Sequence, residues 1–336
     1  MPVPDSDERI LQRAAGGSSD YTASVAGELA AVRQCMSEQL RASDATVDEM
    51  LAYVAARAGK MLRPAMLLLT GASCGEVSED HVRTAAVVEL IHAATLLHDD
   101  VLDEAESRRS VQTANRLWGN VSAILLGDFL LSKVFVMSTA LKPPEAGQLL
   151  SRATVETCRG ELRQNVERGN WRLREESYYE IVREKTAVLF AAACRLGSLI
   201  SGGPEERHLR FAEYGLKVGT AFQISDDLLD FVGDEERVGK TLGTDLANKK
   251  LTLPLIHLLG RTKGAERSRL VDLLSDASAD RKVLIGMLHD AGSLEYTGGV
   301  AQRFCQEGLE ILARLETANS TEPLAAIAAS VADRSA

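Results

Sequence analysis

An all-α fold, built as one large helical bundle, follows from three features of this sequence. Aromatic residues make up only 4% of the 336 residues against an apolar share of 45%, and the abundance of Ala and Leu favours helix over sheet. Apolar residues recur at i, i+3, i+4 and i+7, as in Ala86, Val87, Leu90, Ile91, Ala94, Leu97 and Val101, the spacing of one helix face. No run alternates apolar and polar residues with β-branched side chains and hairpin turns, so no sheet is expected.

The same periodicity predicts helices over 21–42, 64–74, 79–104, 111–139, 145–169, 177–200, 205–233, 245–260, 265–275, 279–290, 294–316 and 322–333. Proline punctuates these segments. Pro64, Pro143, Pro144, Pro204, Pro254 and Pro323 fall near helix starts or turns, where a missing N–H costs least. Residues 1–18, leading into Gly16-Gly17-Ser18-Ser19, read as a flexible lead-in. No Gly, Ser or Pro-rich linker divides 19–336, so a single domain is expected there.

Composition also excludes. A net charge of −10 without a Lys/Arg stripe argues against a nucleic-acid partner. The opening MPVPDSDERI lacks a basic and then apolar leader, and no stretch reads as a transmembrane segment, so a cytoplasmic protein is expected. Five widely spaced cysteines without a C-x-x-C pair suggest small buried hydrophobes rather than disulfides or a zinc site.

One acidic signature occurs twice: Asp99-Asp100-Val101-Leu102-Asp103 and Asp226-Asp227-Leu228-Leu229-Asp230. Carboxylates at i and i+4 share a helix face. In apolar surroundings they are costly unless cations meet them, and two such faces opposed would raise one another's pKa. Bound metal removes that conflict. Basic residues cluster around both motifs. Lys60 and Arg63 stand at a helix entrance, His92 two turns before Asp99, and Arg108 and Arg109 just after Asp103. Lys185-Thr186, Lys240 and Lys249-Lys250 follow in later segments. Carboxylates for metal and cations for phosphate suit magnesium, which takes one or two carboxylates and completes its shell with waters and phosphate oxygens. Asp128, set among apolar neighbours in Leu126-Gly127-Asp128-Phe129, reads as a buried structural acid, and His98 as an orienting or packed core residue.

In seven blocks, GKMLRP (59–64), IHAATLLHDDVLDEAESRR (91–109), GELRQ (160–164), KTA (185–187), FQISDDLLDFVGD (222–234), GKTLGTDL (239–246) and KLTLPL (250–255), the chain resembles the trans-isoprenyl diphosphate synthases, the head-to-tail polyprenyl synthetase family. The resemblance runs from about residue 25 to the C-terminus. It implies the isoprenoid synthase type of bundle around a central cavity, a homodimer, and Mg2+, three per active site. It implies Asp99, Asp103 and Asp226 as metal ligands, with Asp100, Asp227 and Asp230 supporting ligands or waters. Arg108, Lys185 and Lys240 then hold an allylic diphosphate, Lys60, Arg63, His92 and Arg109 hold isopentenyl diphosphate, and Thr186 and Gln223 face the allylic cation. Gln223 reads equally as a hydrogen-bonded core amide.

Ala58, Met61 and Ser110 depart from the family pattern of Gly, Arg and Gly. Small residues Ala94 and Thr95, one turn before Asp99, imply a long-chain product, with Phe135 and Met137 as candidate floor residues that read first as core. The alternatives are a farnesyl or geranylgeranyl diphosphate synthase and a non-catalytic partner subunit. A terpene cyclase fits less well, because the second motif is wholly aspartate and the isopentenyl-binding cations would lack a purpose.

Overall fold

The computed structural model describes residues 21–56, 59–108, 111–233, 243–276 and 281–334. After a 3-10 turn at Ala23–Val25, the N-terminal helices are α1 (Ala26–Gln39), α2 (Ala45–Ala56), α3 (Leu62–Cys74) and α4 (Glu79–Leu102). A hairpin of two-residue strands, β1 (Ser107–Arg108) and β2 (Val111–Gln112), leads to α5 (Ala114–Ser138) and α6 (Glu145–Val166). Next come α7 (Glu175–Val182), a π-helical turn at Arg183–Ala187, α8 (Val188–Ile200) and α9 (Glu205–Val232). The C-terminal part holds α10 (Thr244–Ala247), α11 (Leu253–Arg261), α12 (Gly264–Ser275), α13 (Arg281–Asp290), α14 (Ser293–Ala313) and α15 (Glu322–Asp333).

The main core lies between α1, α3, α4, α5, α8 and α9. Met66, Leu67, Leu68, Leu90, Ile91, Leu196, Phe190 and Phe211 are fully buried there. A second apolar cluster joins α7 and α9 to α11–α14 through Tyr178, Ile224, Phe231, Leu255, Leu274 and Leu288. The acidic motifs end α4 and α9, so both are carried to the same region by helices whose other faces are anchored in these cores.

Several expected boundaries move. Helix α2 was not anticipated. Residues 111–113 pair with 107–108 and close the loop after the first acidic motif, so the helix expected from 111 begins at Ala114. The segment expected at 245–260 divides into α10 and α11 around Lys249, whose φ of 53° lies in the left-handed region. Among the cysteines, Cys194 and Cys305 are buried, but Cys158 is exposed on α6. The expected lead-in at 1–18 lies outside the described residues.

Helix α5 is the largest surprise. It is long and apolar enough to cross a membrane by length and composition, yet only 28% of its apolar window is buried. Val121, Leu125, Phe135 and Val136 are each more than three-fifths exposed, and so are Val155, Leu162 and Val166 on α6. Phe135 is therefore neither core nor floor, whereas Met137 packs against the core. Asp128, expected to be buried, is 59% exposed on the same outer face, its Oδ1 3.5 Å from His98 Nε2.

Candidate active site

The first acidic motif forms the last turn of α4. Asp100 is buried and accepts from Arg108 Nε at 2.8 Å across the turn that the β-hairpin closes. Burial pushes its carboxyl up and Arg108 opposes that push. Asp99 is pushed up to about 6, by burial first, with Glu161 and Asp103 adding to it and Lys185 working against it. Asp103 is gripped on both oxygens, by Arg168 Nη2 at 2.8 Å and Lys250 Nζ at 2.6 Å.

Lys185 stands opposite Asp99. The π-helical turn delivers it, and such turns recur where a helix must re-aim side chains at a functional site. Its Nζ lies 3.8 Å from Asp99, 2.5 Å from Glu161 and 2.8 Å from Gln164 Oε1. Burial alone would lower the ammonium, but Asp99 and Glu161 outweigh it and raise it, so Lys185 is a fixed positive charge. Gly160 permits the arrangement, because a Cβ there would stand 2.8 Å from the Glu184 carbonyl carbon and closer still to the Lys185 backbone nitrogen.

The second motif ends α9. Asp227 is almost fully buried and receives hydrogen bonds from the Tyr178 hydroxyl at 2.6 Å and Gln223 Nε2 at 2.7 Å. Burial, with Asp245 nearby, pushes it up to about 8 against those two donors. The Gln223 oxygen accepts from the Thr186 hydroxyl at 2.7 Å, giving the relay Thr186, Gln223, Asp227. Asp230 is fully buried and accepts at 3.3 Å from the Asp245 backbone N–H. Arg281 caps the end of this helix by donating to the Asp230 and Phe231 carbonyls at 2.8 and 3.1 Å, where the helix dipole favours a cation. Asp226 acts on the Arg108 guanidinium together with Asp99 and Asp100, so Arg108 lies in the field of both motifs.

A cavity of about 70 Å³ abuts this cleft, with Gly59, Glu89, His92, Asp100 and Arg108 as its polar wall. Two of the seven sequence blocks, 59–64 and 91–109, thus meet at one opening. Lys60 is exposed beside it. Arg63 is not at the surface. It is buried, its guanidinium 4.3 Å from the centre of the Phe190 ring, and burial lowers its pKa to about 10 against the nearby charge of Glu89. Met61, where the family pattern carries Arg, is 2% exposed, so that position supplies packing instead of charge. Arg109, Lys240, Ala58 and Ser110 lie outside the described residues.

Among the described residues no three carboxylate, imidazole or thiol groups converge on one point. Magnesium does not require such a nest, since water and phosphate complete its shell. The donor set fits it: hard oxygen ligands only, with Asp99 and Asp227 raised by burial and by neighbouring carboxylates, a strain that a divalent ion relieves.

Arg168, Tyr178, Asp245 and Arg281 were not anticipated from sequence as parts of this region. Glu161, Gln164 and Arg168 at i, i+3 and i+7 continue one face, which is a legible signal for Arg168. Tyr178 carries none.

A family model described as Polyprenyl synthetase matches residues 44–289. The chain is 34% identical over 299 residues to the octaprenyl diphosphate synthase of Escherichia coli, covering 88% of this chain and 91% of that protein. Its fold matches a decaprenyl diphosphate synthase from Rhodobacter capsulatus with a TM-score of 0.86 at 32% identity, over 98% of this chain and 99% of that one. A polyprenyl synthase from Caulobacter crescentus, solved with calcium and isoprenyl diphosphate, matches with a TM-score of 0.86 at 30% identity over the whole of both chains. The paired acidic motifs and the cations between them thus stand on the same scaffold as these synthases, and the chain belongs to the polyprenyl synthetase family.

Proposed function

We propose that this prenyltransferase condenses isopentenyl diphosphate head-to-tail onto an allylic diphosphate and repeats the step to build a long all-trans polyprenyl diphosphate. The observation that carries this reading is Arg108, held by Asp100 and lying in the field of Asp99 and Asp226. It stands where a departing diphosphate would gather negative charge. Bound magnesium, three ions in this reading, would be held by Asp99, Asp103 and Asp226 with Asp100, Asp227 and Asp230 behind them, and would neutralise that diphosphate.

The chain's own residues orient and shield. Arg108 and Lys185, with Lys240, grip the allylic diphosphate. Lys60, His92 and Arg109 hold isopentenyl diphosphate at the cavity mouth, and Arg63 contributes its charge from beneath. The Thr186 hydroxyl and Gln223 carbonyl present neutral oxygens to the allylic cation, and their mutual hydrogen bond fixes both. The double bond of isopentenyl diphosphate attacks C1 of the cation, and the proton then lost passes to the released diphosphate. The apolar cavity wall of Met36, Val54, Leu96 and Leu97 excludes water that would hydrolyse the cation. Long product length is supported by the small, fully buried Ala94 one turn from Asp99.

The exposed apolar faces of α5 and α6 support a homodimer through these helices, since such patches mark association surfaces. A cytoplasmic enzyme is proposed with it. Incubation with magnesium, labelled isopentenyl diphosphate and, in turn, dimethylallyl, geranyl, farnesyl or geranylgeranyl diphosphate tests the reaction. A discrete ladder ending in a long polyprenyl diphosphate is expected. Termination at farnesyl or geranylgeranyl diphosphate would refute the long-chain reading, and no incorporation would point to a partner subunit. Light scattering on wild type and on Val121→Glu/Phe135→Glu tests the dimer, which the double variant should dissociate.

A further inference from the structure

Asp103 is over-supplied with positive charge. One carboxylate pairs with both Arg168 and Lys250, while Lys185 is shared between Asp99 and Glu161. The two cations of Asp103 are unlike. Lys250 is 6% exposed, its Nζ also lies 3.9 Å from Asp245, and its backbone N–H is tied to the Asp245 carbonyl. Arg168 is 22% exposed and sits in the turn after α6, followed by Gly169 with φ of 74°. Its guanidinium otherwise makes a long bond of 3.4 Å to the Leu102 carbonyl, and among the described residues its buried Nε finds no hydrogen-bond partner. Lys250 is built in, whereas Arg168 is lightly held.

The turn bearing Arg168 is joined to the loop bearing Lys250 by a hydrogen bond from the Gly169 N–H to the Lys249 carbonyl. The Asp245 N–H in turn reaches Asp230 Oδ2. A continuous set of contacts therefore runs from the first acidic motif, through this loop pair, to the second.

We propose that Arg168 is a positioning residue that acts through Asp103: a displaceable counter-ion that holds the carboxylate in the metal-free enzyme and yields its oxygen when a divalent cation arrives. The inference rests on the metal-dependent reading above. Arg168 then sets how tightly the first motif takes metal, because the ion must displace the guanidinium or share an oxygen with it. A unit positive charge a few ångströms from a divalent ion in a partly hydrated site weakens binding by roughly tenfold.

The test uses the full chain without substrate, titrated with Mn2+ and followed by electron paramagnetic resonance. Wild type is compared with Arg168→Gln, Arg168→Lys and Asp103→Asn. Arg168→Gln should bind Mn2+ about tenfold more tightly, and Arg168→Lys should stay near wild type. Thermal melting gives a second readout. Arg168→Gln should melt below wild type in chelator, and saturating Mg2+ should close that gap. A purely structural tether would leave the gap the same with and without metal. Unchanged or weaker Mn2+ binding by Arg168→Gln overturns the proposal while leaving the metal-dependent reading standing. Wild type that binds no Mn2+, or binds it as well as Asp103→Asn does, overturns that reading and the proposal with it.

Discussion

Replacing Gly160 by Ala tests how Lys185 and Thr186 are placed. On an exposed helix the change would stabilise by about 1 kcal/mol through helix propensity. Here the new Cβ would lie 2.8 Å from the Glu184 carbonyl carbon and nearer still to the Lys185 backbone nitrogen. Ordinary contact needs at least 3.4 Å, so α6 and the π-helical turn must part by roughly 1 Å, and backbone on both sides leaves no flexible side chain to absorb it. Overpacking of this kind costs about 1–3 kcal/mol, which for a chain of this size lowers the melting temperature by roughly 1–4 °C. A shift of about 1 Å in a group that orients substrate costs on the order of a hundredfold in rate. Calorimetry and initial-rate incorporation of labelled isopentenyl diphosphate measure the two effects. A raised melting temperature with unchanged turnover would refute the reasoning, because it would mean that the Gly160 contact does not position the lysine.

Tyr178→Phe removes one of the two donors to the buried Asp227 and should cost about 1–3 kcal/mol in urea unfolding, with the m-value unchanged. Ala94→Phe places a ring in a fully buried position one turn before the first motif and should shorten the product ladder; an unchanged ladder in a fully active variant would remove Ala94 as a gate. Chelation should abolish incorporation reversibly while the helical circular dichroism persists, because Arg108, Lys185, Arg168 and Lys250 already offset the first motif's charge within the protein.

Much of the fold was readable because helix formation is governed by short-range periodicity. The long helices α4 and α9 appear nearly as their apolar spacing predicts, and the carboxylates at their ends are local features of the same segments. Residues 111–113 were read as the start of a helix, but the pairing of Val111 and Gln112 with Ser107 and Arg108 makes them strand and moves the helix start to Ala114. Asp128 looked buried from its apolar neighbours, yet α5 turns that face outward. Periodicity marks an apolar stripe but does not say whether the core or another subunit covers it.

By itself the sequence determined the helical class, the two acidic motifs and the presence of cations beside them. Their residue types and spacings suffice for that. The tertiary structure decided which cation meets which carboxylate. Lys250 reaches Asp103 across 147 residues and Arg168 across 65, Tyr178 reaches Asp227 across 49, and Arg63 stacks over the Phe190 ring. Such pairings depend on how helices pack over long sequence separations, and local propensity carries no record of them.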